Sequence, residues 1–445
     1  MNKLFGTDGI RGKAGEFPLD ERTIRIIGAS LAGHFRKRLG RVPTFISGRD
    51  TRESGDWIES AIRSGAVAAG AKIESAGVIT TPGVAFLTKA RNFDAGIVIS
   101  ASHNPYQDNG IKIFLPDGTK IDEAIEKLIE QDINTGREPH STLEIVAPSE
   151  SPYKDAYKNH LIETANLISR NGSKIVIDCA NGAASAFAGD IFHKIGDSLI
   201  VINNKPDGRN INAECGSLHL ENLQSRVIAE RADIGIAFDG DADRALFVDE
   251  TGRIVDGDAT LWILARYLKD HGKLANSTVI ATVMSNIGLE LALKTKGISL
   301  DRTSVGDKYV LEGLIKTGSE IGGEQSGHII FPEISLVGDG MMTALLLLRA
   351  IGERGVSLSQ ATEGFVAYPQ ILINVKVARK PPFTEVPEIA DAARAVEAEL
   401  HGEGRLLLRY SGTENLARVM IEGKHQATIE NQANVIAAAI RSALG

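Results

Sequence analysis

The sequence has few cysteines, few aromatic residues and no long apolar run. Its 445 residues include two cysteines, Cys179 and Cys215, and aromatic side chains make up 5% of the chain. This cysteine spacing gives neither a CxxC motif nor a disulfide framework, which fits a reducing compartment. The longest apolar stretch, at residues 344–348, is too short to cross a bilayer, and the first residues have no signal-like apolar segment. We therefore expect a cytoplasmic protein without a membrane partner.

The sequence also lacks a cluster of positive charge. The net charge is −8, and no basic run interrupts the acidic background. Such a chain is a poor candidate for binding nucleic acid, so any anionic ligand must be held by a few local cations. With 43% hydrophobic and 24% charged residues the composition is that of a globular protein, and the length predicts about three domains.

One pattern recurs three times along the chain. An apolar strand ends in a short polar turn, a helix follows, and a second strand ends in a longer polar loop. These second loops are residues 100–104, 239–244 and 321–328. Alternating strands and helices predict α/β domains, in which ligand sites lie beyond the carboxyl ends of the strands. We expect three related α/β domains with mostly parallel sheets.

The last part of the chain has a different pattern. A strand at 371–375 and a helix at about 388–400 are followed by two strands within 405–422 and a helix at about 427–444. The apolar positions of the strands alternate, as in a half-exposed antiparallel sheet, and predict a smaller α+β domain. Breaks between the patterns predict four domains, at residues 1–150, 151–255, 256–368 and 369–445.

The first recurring loop carries a candidate nucleophile. Ser102 and His103 directly follow the apolar segment 96–99. A hydroxyl beyond a buried strand is well placed for covalent catalysis. The alternative is a structural turn, because serine and histidine are also ordinary residues after a strand.

The second loop carries Asp239, Asp241 and Asp243. Three carboxylates at alternate positions repel one another unless a cation compensates them. An EF-hand is the obvious alternative, since Glu250 falls at the twelfth position, but Arg244 stands where that loop needs glycine and strands flank the segment. We predict a catalytic Mg²⁺ with coordination positions left for a phosphate oxygen.

The third loop and two isolated cations are further candidates. Glu324, Ser326 and His328 alternate, so an extended backbone would point all three side chains toward one sugar or amino group. Lys112 and Arg11 would neutralise a phosphoryl group or, for Lys112, act as a general acid or base. Solvated surface charges are the alternative for both.

A loop in the last domain has the composition of a phosphate site. It combines hydroxyls, a glycine with free backbone N–H groups and flanking guanidiniums, which together suit a phosphate dianion. A hairpin with surface arginines is the alternative. The residues are Arg409, Ser411, Gly412, Thr413 and Arg418.

These motifs resemble the α-D-phosphohexomutase superfamily, and within it most closely the bacterial phosphoglucosamine mutases. The resemblance covers essentially the whole chain, in seven consecutive motifs at residues 6–12, 100–104, 109–112, 239–244, 305–310, 323–328 and 409–414. It implies an α/β fold of three related α/β domains and a C-terminal α+β domain with a TATA-binding-protein-like sheet, arranged around a central cleft.

The resemblance also implies a role for each candidate residue. Ser102 would be phosphorylated and, through a phosphoserine oxygen, would complete the site of one Mg²⁺ per chain. The implied groups are the metal ligands Ser102, Asp239, Asp241 and Asp243; the catalytic residues Ser102, Lys112, Arg11, His103 and His328; Arg244 at the phosphoryl group; Glu324, Ser326 and Asp307 at the sugar; and Arg409, Ser411, Gly412, Thr413 and Arg418 at the distant phosphate. Lys112 and His328 are the candidates for taking the sugar hydroxyl proton.

The implied reaction is the interconversion of glucosamine 6-phosphate and glucosamine 1-phosphate by an intramolecular phosphotransferase of the isomerase class. It would pass through a 1,6-bisphosphate and feed UDP-N-acetylglucosamine synthesis. The substrate would be a small phosphosugar, the activator glucose- or glucosamine-1,6-bisphosphate, and Ser102 would be phosphorylated by a kinase or by autophosphorylation. A homodimer is compatible with the resemblance. The alternatives are a phosphomannomutase/phosphoglucomutase, a phosphatase using the same serine, and a phosphosugar sensor without turnover.

Three positions bear on how closely the family pattern is followed. Ala242 replaces a common glycine, which a methyl group tolerates if φ is negative there, and Asn415 replaces a common proline. Asp307 stands where phosphomannomutase/phosphoglucomutases usually carry histidine. An acid facing a protonated amino sugar would be a sensible electrostatic difference, which predicts that Asp307→His weakens use of glucosamine phosphate relative to glucose phosphate.

Overall fold

The computed structural model describes residues 3–136, 153–168, 172–196, 198–411 and 414–445. The chain divides into two compact units: a larger unit of Met1–Met284 with Leu300–Glu363, and a smaller one of Ser285–Ser299 with Gly364–Gly445. Contacts thus group three sheets into one unit and leave the fourth in the other. The division into four domains stays a prediction.

The first sheet has six strands in the order β1-β2-β6-β5-β3-β4. The pairs of β3 with β4 and with β5 are parallel, whereas β6, β2 and β1 add in antiparallel fashion. All five residues of β5 are buried, which explains its unbroken apolar sequence. The elements are β1 (Phe5–Gly6), β2 (Gly9–Lys13), α1 (Glu21–Leu39), β3 (Thr44–Arg49), α2 (Gly55–Ala68), β4 (Lys72–Val78), α3 (Thr81–Ala90), β5 (Ala95–Ile99), β6 (Asp108–Phe114) and α4 (Glu123–Thr135).

Helices α1 and α2 pack backbone to backbone. A Cβ at Gly65 would lie 1.9 Å from the Arg25 carbonyl oxygen, and one at Gly28 would lie 2.2 Å from that of Ile62. Only glycine permits this approach. Helix α1 begins where the Asp20 carboxylate accepts the Thr23 N–H, which satisfies a free donor of the first turn.

The second sheet repeats the arrangement with five strands in the order β11-β10-β9-β7-β8. Strands β7, β8 and β9 are parallel, and β10 returns antiparallel to β9 directly after the acidic loop. That return explains why the segment after Arg244 has the sequence of a strand. The elements are α5 (Tyr153–Ala165), β7 (Lys174–Asp178), α6 (Ala188–Phe192), β8 (Ser198–Ile202), α7 (Glu221–Glu230), β9 (Ile234–Phe238), β10 (Ala245–Asp249) and β11 (Ile254–Val255).

The third sheet is smaller, with the order β13-β12-β14-β15. Strands β12 and β14 are parallel, and β15 is antiparallel to β14. The elements of this part are α8 (Gly257–Asp270), β12 (Thr278–Thr282), α9 (Ile287–Thr295), β13 (Ser299–Thr303), α10 (Asp307–Thr317), β14 (Gly322–Gly323), β15 (Ile329–Ile330), α11 (Gly340–Arg354) and α12 (Leu358–Ala361). The sheets therefore belong to α/β parts, and in the first two sheets the parallel pairs lie toward one edge and the antiparallel pairs toward the other.

The fourth sheet has three antiparallel strands in the order β16-β18-β17. Its helices cover one face and bury an aliphatic core that includes Ile389, Ile436 and Ile440. Exposure alternates along β16, as the sequence predicts for a half-exposed sheet. The elements are β16 (Gln370–Lys376), α13 (Pro387–Leu400), β17 (Arg405–Tyr410), β18 (Leu416–Glu422) and α14 (Gln426–Leu444). The predicted fold class, three α/β parts and a C-terminal α+β part, is confirmed.

Within the described ranges, none of the helices combines the length and the apolar content that a bilayer crossing requires.

Candidate functional site

Ser102 lies just beyond the end of β5 in a backbone conformation that serine rarely adopts. Its φ is 53°, in the left-handed region, and the residue is fully buried. The Ser102 N–H donates to Ser100 Oγ at 2.9 Å. Its carbonyl oxygen accepts from Arg52 Nη2 at 3.2 Å and from Asn212 Nδ2 at 2.9 Å. Because these bonds hold both sides of the residue, the strained conformation persists, as is common at functional sites.

Arg52 and Asp50 form a buried pair beneath the serine loop. Both side chains are fully buried and in direct contact through Arg52 Nη1. Arg52 also donates to the Asn104 carbonyl at 2.5 Å, and Ser100 Oγ donates to Asp50 Oδ2 at 2.6 Å. Sequence reasoning missed this pair, although its signal was present. Asp50 follows β3, the parallel neighbour of β5, so the ends of the two strands meet at one edge of the sheet.

The three aspartates form a compact, buried cluster. One ligand oxygen from each of Asp239, Asp241 and Asp243 lies within 4.8 Å of the others. Ser102 Oγ donates to Asp239 Oδ2 at 2.5 Å. Asp241 Oδ1 and Asp243 Oδ1 are buried and accept no hydrogen bond from the described residues. Oxygen donors that are left free in this way fit a hard divalent cation.

Burial and mutual repulsion dominate the electrostatics of the cluster. Burial, and then the charges of Asp243 and Asp241, hold the pKa of Asp239 well above its usual range. Burial also opposes the charge of Asp241, but the Lys112 ammonium and a hydrogen bond from Thr81 outweigh it and lower the pKa of that carboxyl. Thr81, at the start of α3, is a further contact that the sequence did not indicate.

Lys112 on β6 is 1% exposed and faces three carboxylates. Its Nζ lies 2.9 Å from Asp241 Oδ2, 3.0 Å from Asp8 Oδ2 and 3.6 Å from Asp243 Oδ2. Burial disfavours the ammonium, yet Asp241, Asp8 and Asp243 raise the pKa of Lys112 above its ordinary value. A charged, buried lysine therefore lies beside the acidic cluster, so Lys112 is not a solvated surface lysine. Asp8, which the sequence did not single out, is its second partner.

A histidine and two arginines also lie close to this cluster. His103 Nδ1 is 3.3 Å from Ser102 Oγ and 3.3 Å from Arg244 Nη1. Burial, then Arg244 and Arg11, lower the pKa of His103. Burial opposes the charge of Arg244, but Asp243 and Asp239 raise its pKa. Arg11 is bound to Asp8, so all the predicted residues near the phosphoryl group lie in one neighbourhood.

A cavity of about 430 Å³ opens next to this cluster, and its lining contains only some of the predicted sugar-binding residues. Glu324, Asp307 and His328 line it, together with Arg11 and Arg244. Glu324 Oε1 accepts the Gly306 N–H at 3.2 Å. Gly306 directly precedes Asp307, the first residue of α10.

Ser326 is placed differently from the prediction. The Gly327 N–H donates to the Glu324 carbonyl at 3.0 Å, and Gly327 has φ 89°, so the backbone turns instead of running extended. Because of this turn, alternate side chains do not share a direction. Ser326 is not part of the cavity lining, and its buried Oγ has no hydrogen-bond partner among the described residues.

The predicted phosphate loop belongs to the smaller unit. Arg409 on β17 and Arg418 on β18 are directly opposite each other in the antiparallel register. Arg418 Nη2 lies 3.6 Å from Glu414 Oε2, and burial followed by the neighbouring Arg418 lowers the pKa of Arg409. Ser411 is buried and its Oγ accepts the Glu414 N–H at 3.2 Å. Gly412 and Thr413 lie outside the described residues.

Comparison with known proteins places the chain in a family. The descriptions that match are Phosphoglucomutase/phosphomannomutase, alpha/beta/alpha domain I at residues 2–140, domain II at 152–252, domain III at 256–368 and the C-terminal domain at 372–439. A protein of Solibacter usitatus named phosphoglucosamine mutase is 47% identical over 99% of this chain and 99% of its own length. The chain belongs to the phosphoglucomutase/phosphomannomutase family.

Solved structures of similar fold extend across the whole chain of this family member. A phosphoglucomutase/phosphomannomutase family protein from Burkholderia thailandensis has a TM-score of 0.80 and 24% identity, covering 99% of this chain and 97% of its own. The Aspergillus fumigatus N-acetylphosphoglucosamine mutase, solved in complex with GlcNAc-6P and magnesium, has a TM-score of 0.65 and 18% identity, covering 99% and 96%. At these identities the likeness shows the fold.

The acidic loop of this family member, residues 239–244, departs from expectation at Ala242. Its φ is 56°, so the condition of a negative φ, on which the methyl group was expected to be tolerated, is not met. The residue is fully buried, and its N–H closes a turn on the Asp239 carbonyl at 3.1 Å. A left-handed alanine costs roughly 1–2 kcal/mol. The tight turn that brings the aspartates together imposes this conformation, and no sequence pattern indicated it.

Proposed function

We propose that this family member interconverts glucosamine 6-phosphate and glucosamine 1-phosphate. The observation that carries the proposal is the contact of 2.5 Å between Ser102 Oγ and Asp239 within a buried carboxylate cluster, with Lys112 bound to the same cluster. Full-length relatives that are 44–47% identical carry the name phosphoglucosamine mutase, which favours amino-sugar phosphates over the hexose phosphates of phosphomannomutase/phosphoglucomutases. The chain is accordingly an enzyme of the isomerase class.

The acidic cluster is the proposed magnesium site. Asp239, Asp241 and Asp243 would hold one ion per chain, with an oxygen of phosphorylated Ser102 as a further ligand, and their unpaired buried oxygens support this role. A bound Mg²⁺ would offset the negative charge of the phosphoryl oxygens. Lys112 and Arg244 would add fixed positive charge beside the same oxygens.

In the proposed reaction, the phosphoryl group of phosphorylated Ser102 moves to the free hydroxyl of the sugar. The bond from phosphorus to Ser102 Oγ breaks, a bond to the sugar oxygen forms, and the hydroxyl proton leaves to a base. The resulting 1,6-bisphosphate returns its other phosphoryl group to Ser102. Since Ser102 is fully buried, water would have little access to the phosphoserine, which protects it from hydrolysis.

The loop in the smaller unit is proposed to bind the phosphate that does not react. Arg409, Arg418 and Ser411 offer two guanidiniums and a hydroxyl, and Gly412 and Thr413 are assigned to the same site by the sequence pattern alone. Fixed charge without shape-specific contacts suits a site that must accept either phosphate of the bisphosphate.

The remaining assignments are also proposals. Glu324 and Asp307 would contact the sugar from the cavity lining, and Ser326 is assigned to the sugar by the sequence pattern alone. His328, His103 and Arg11 would act close to the reacting groups. Ser102 would first be phosphorylated by a kinase or by autophosphorylation, and glucose- or glucosamine-1,6-bisphosphate would maintain the active form. We propose a cytoplasmic location, with which the two free, buried cysteines agree. A homodimer and a supply of product to UDP-N-acetylglucosamine synthesis complete the proposal.

The deciding experiment measures isomer formation from glucosamine 6-phosphate, with Mg²⁺ and glucosamine 1,6-bisphosphate present. Wild type should form glucosamine 1-phosphate, and Ser102→Ala should lose at least about 10³-fold in rate, because no other group can carry the phosphoryl. Ser225→Ala, at an exposed position of α7, is the matched control and should retain full activity.

The same assay separates the alternatives. Glucose 6-phosphate and mannose 6-phosphate, each with its bisphosphate, should give lower kcat/KM than glucosamine 6-phosphate. A preference for either hexose phosphate would favour a phosphomannomutase/phosphoglucomutase. Release of inorganic phosphate without isomer would indicate a phosphatase, and binding without turnover would indicate a sensor.

A further inference from the structure

Three carboxylates, two lysines and a histidine form a ring of contacts in the larger unit, and four of its members, Asp8, Asp243, Asp307 and His328, line the cavity. Lys112 contacts Asp8 at 3.0 Å, and Asp8 also contacts Lys120, whose Nζ lies 2.5 Å from Asp8 Oδ1. The contacts continue from Lys120 through Asp307 and His328 to Asp243 and from there back to Lys112. Neither the sequence pattern nor the proposed reaction gives a role to Lys120 or to its partner Asp8, and of these two Lys120 contacts the carboxylate of Asp307.

Lys120 bridges two carboxylates from different parts of the chain. Its Nζ is 2.5 Å from Asp8 Oδ1, in the turn between β1 and β2, and 2.5 Å from Asp307 Oδ2, the first residue of α10. The Lys120 side chain is 19% exposed and that of Asp307 is 14% exposed. In such partly dehydrated surroundings the attraction between charges is stronger than in water.

The two carboxylates do not depend on Lys120 equally. Asp8 also contacts Lys112 and Arg11, so it keeps two cationic partners without Lys120. Among the described residues, the only other side chain within ion-pairing distance of Asp307 is the imidazole of His328, at 3.8 Å. Lys120 is therefore the principal counter-ion of the one carboxylate that lines the cavity from α10.

We propose that Lys120 is a positioning residue that shares the Asp307 carboxylate with the C2 substituent of the sugar and so sets the selectivity between amino sugars and neutral hexoses. The inference rests on the proposed function, since it requires a phosphosugar in this cavity. With Lys120 present, the negative charge of Asp307 is already compensated, and a neutral hydroxyl at C2 can bind beside it. Without it, Asp307 needs another cation, which the C2 ammonium of glucosamine 6-phosphate supplies and the hydroxyl of glucose 6-phosphate does not.

The test compares the dissociation constants of glucosamine 6-phosphate and glucose 6-phosphate by titration calorimetry at neutral pH, with unphosphorylated protein and Mg²⁺. Lys120→Met should weaken the binding of glucose 6-phosphate more than that of glucosamine 6-phosphate. The dissociation constant of glucose 6-phosphate divided by that of glucosamine 6-phosphate should therefore rise about tenfold. Lys120→Arg keeps the charge and should leave the ratio near that of wild type. Lys127→Met, the same change at a side chain that is 75% exposed on α4, should also leave it unchanged.

A second variant isolates the role of Asp307. In Lys120→Met/Asp307→Asn no carboxylate is left to compensate, so the rise in the ratio should disappear. A ratio within twofold of wild type in folded Lys120→Met, or an equal rise in the double variant, would overturn the inference. If Lys120→Met does not fold, Lys120→Gln and Lys120→Gln/Asp307→Asn give the same comparison.

The outcome is independent of turnover. A purely structural role for Lys120 would lower thermal stability and weaken both ligands alike, leaving the ratio fixed. If wild type binds both sugar phosphates and forms no isomer, the proposed function fails while the ratio still decides on Lys120.

Discussion

The two regions proposed to bind phosphate, around Ser102 and around Arg409 and Arg418, differ in how their charges are compensated. Around Ser102 in the larger unit, the carboxylates and cations are buried and paired with one another, as Lys112 is with Asp241 at 2.9 Å. In the smaller unit Arg409 and Arg418 lie side by side and half-buried, with one carboxylate, Glu414, 3.6 Å from Arg418.

This difference corresponds to two kinds of task. A site that stabilises charge developing during a reaction benefits from groups that are fixed in advance and shielded from water, and internal pairing keeps such charges in place. A site that only anchors an anion benefits from unbalanced positive charge that the ligand itself neutralises. Substitutions in the buried region should therefore affect kcat or stability, and those in the smaller unit should affect KM.

The largest expected effect is on catalysis. Asp241→Asn removes a carboxylate of the proposed metal site and the closest partner of Lys112, so kcat should fall by about 10²–10³-fold. The rate should also need a higher Mg²⁺ concentration to saturate. Asp301→Asn, at an exposed position of β13, is the control and should leave both quantities unchanged. An effect of Asp241→Asn on KM alone would contradict the comparison.

An effect of similar size is expected on the stability of the fold when the buried pair of Arg52 and Asp50 beneath the serine loop is broken. Arg52→Met leaves the Asp50 carboxylate buried without its cation, which should lower the free energy of unfolding by about 3 kcal/mol in urea denaturation. Arg52→Met/Asp50→Asn should recover most of that stability. It should not recover full activity, because the carbonyl oxygens of Ser102 and Asn104 lose one of their two donors and keep only the amide of Asn212. Full recovery of both would show that the pair has no positioning role.

Substitutions at the arginines of the smaller unit should change KM. Arg418→Met removes a charge-assisted contact to the phosphate, so kcat/KM should fall by an amount equivalent to about 1.5–3 kcal/mol, chiefly through KM. Arg394→Met, whose side chain is 75% exposed on α13, tests for a general effect of charge and should change little. A drop in kcat at saturating substrate with KM unaltered would remove the distinction between the two regions.

The smallest expected effect is an increase in unfolding free energy from a substitution in the acidic loop of residues 239–244. Ala242→Gly relieves a left-handed conformation that costs about 1–2 kcal/mol for alanine, while glycine loses about 0.5–1 kcal/mol of chain entropy. The net should be about 0.5–1 kcal/mol of added unfolding free energy. Ala350→Gly, inside α11, should instead destabilise by about 1 kcal/mol. Destabilisation by Ala242→Gly would mean that the Ala242 methyl contributes packing that outweighs the strain.

Much of the site could be predicted because its residues sit in local patterns. Ser102 and the three aspartates each follow an apolar strand, and such loops meet at the edge of a sheet. Lys112 occupies a strand position in the first sheet. These assignments needed only the order of strands and loops, which the apolar periodicity reveals.

Other members of the site could not be predicted, because their partners are distant along the chain. Arg52 acts on Ser102 from 50 positions away, and Lys120 meets Asp307 from 187 positions away. Nothing in the local sequence around Lys120 distinguishes it from a surface lysine. The extended backbone on which the expectation for Ser326 depended is absent, because the segment from Glu324 to Gly327 turns. The strain at Ala242 likewise arises from a turn that no local sequence pattern indicates.

The sequence by itself determined the fold class, the family and the positions of the candidate nucleophile and the carboxylate cluster, because strand periodicity and short motifs are local properties. Only the tertiary structure decided which charges pair, namely Lys112 with Asp8 and Asp241, and Lys120 with Asp307. Ion pairing depends on distance and on exclusion of water. Both arise when remote loops are brought together in the folded chain.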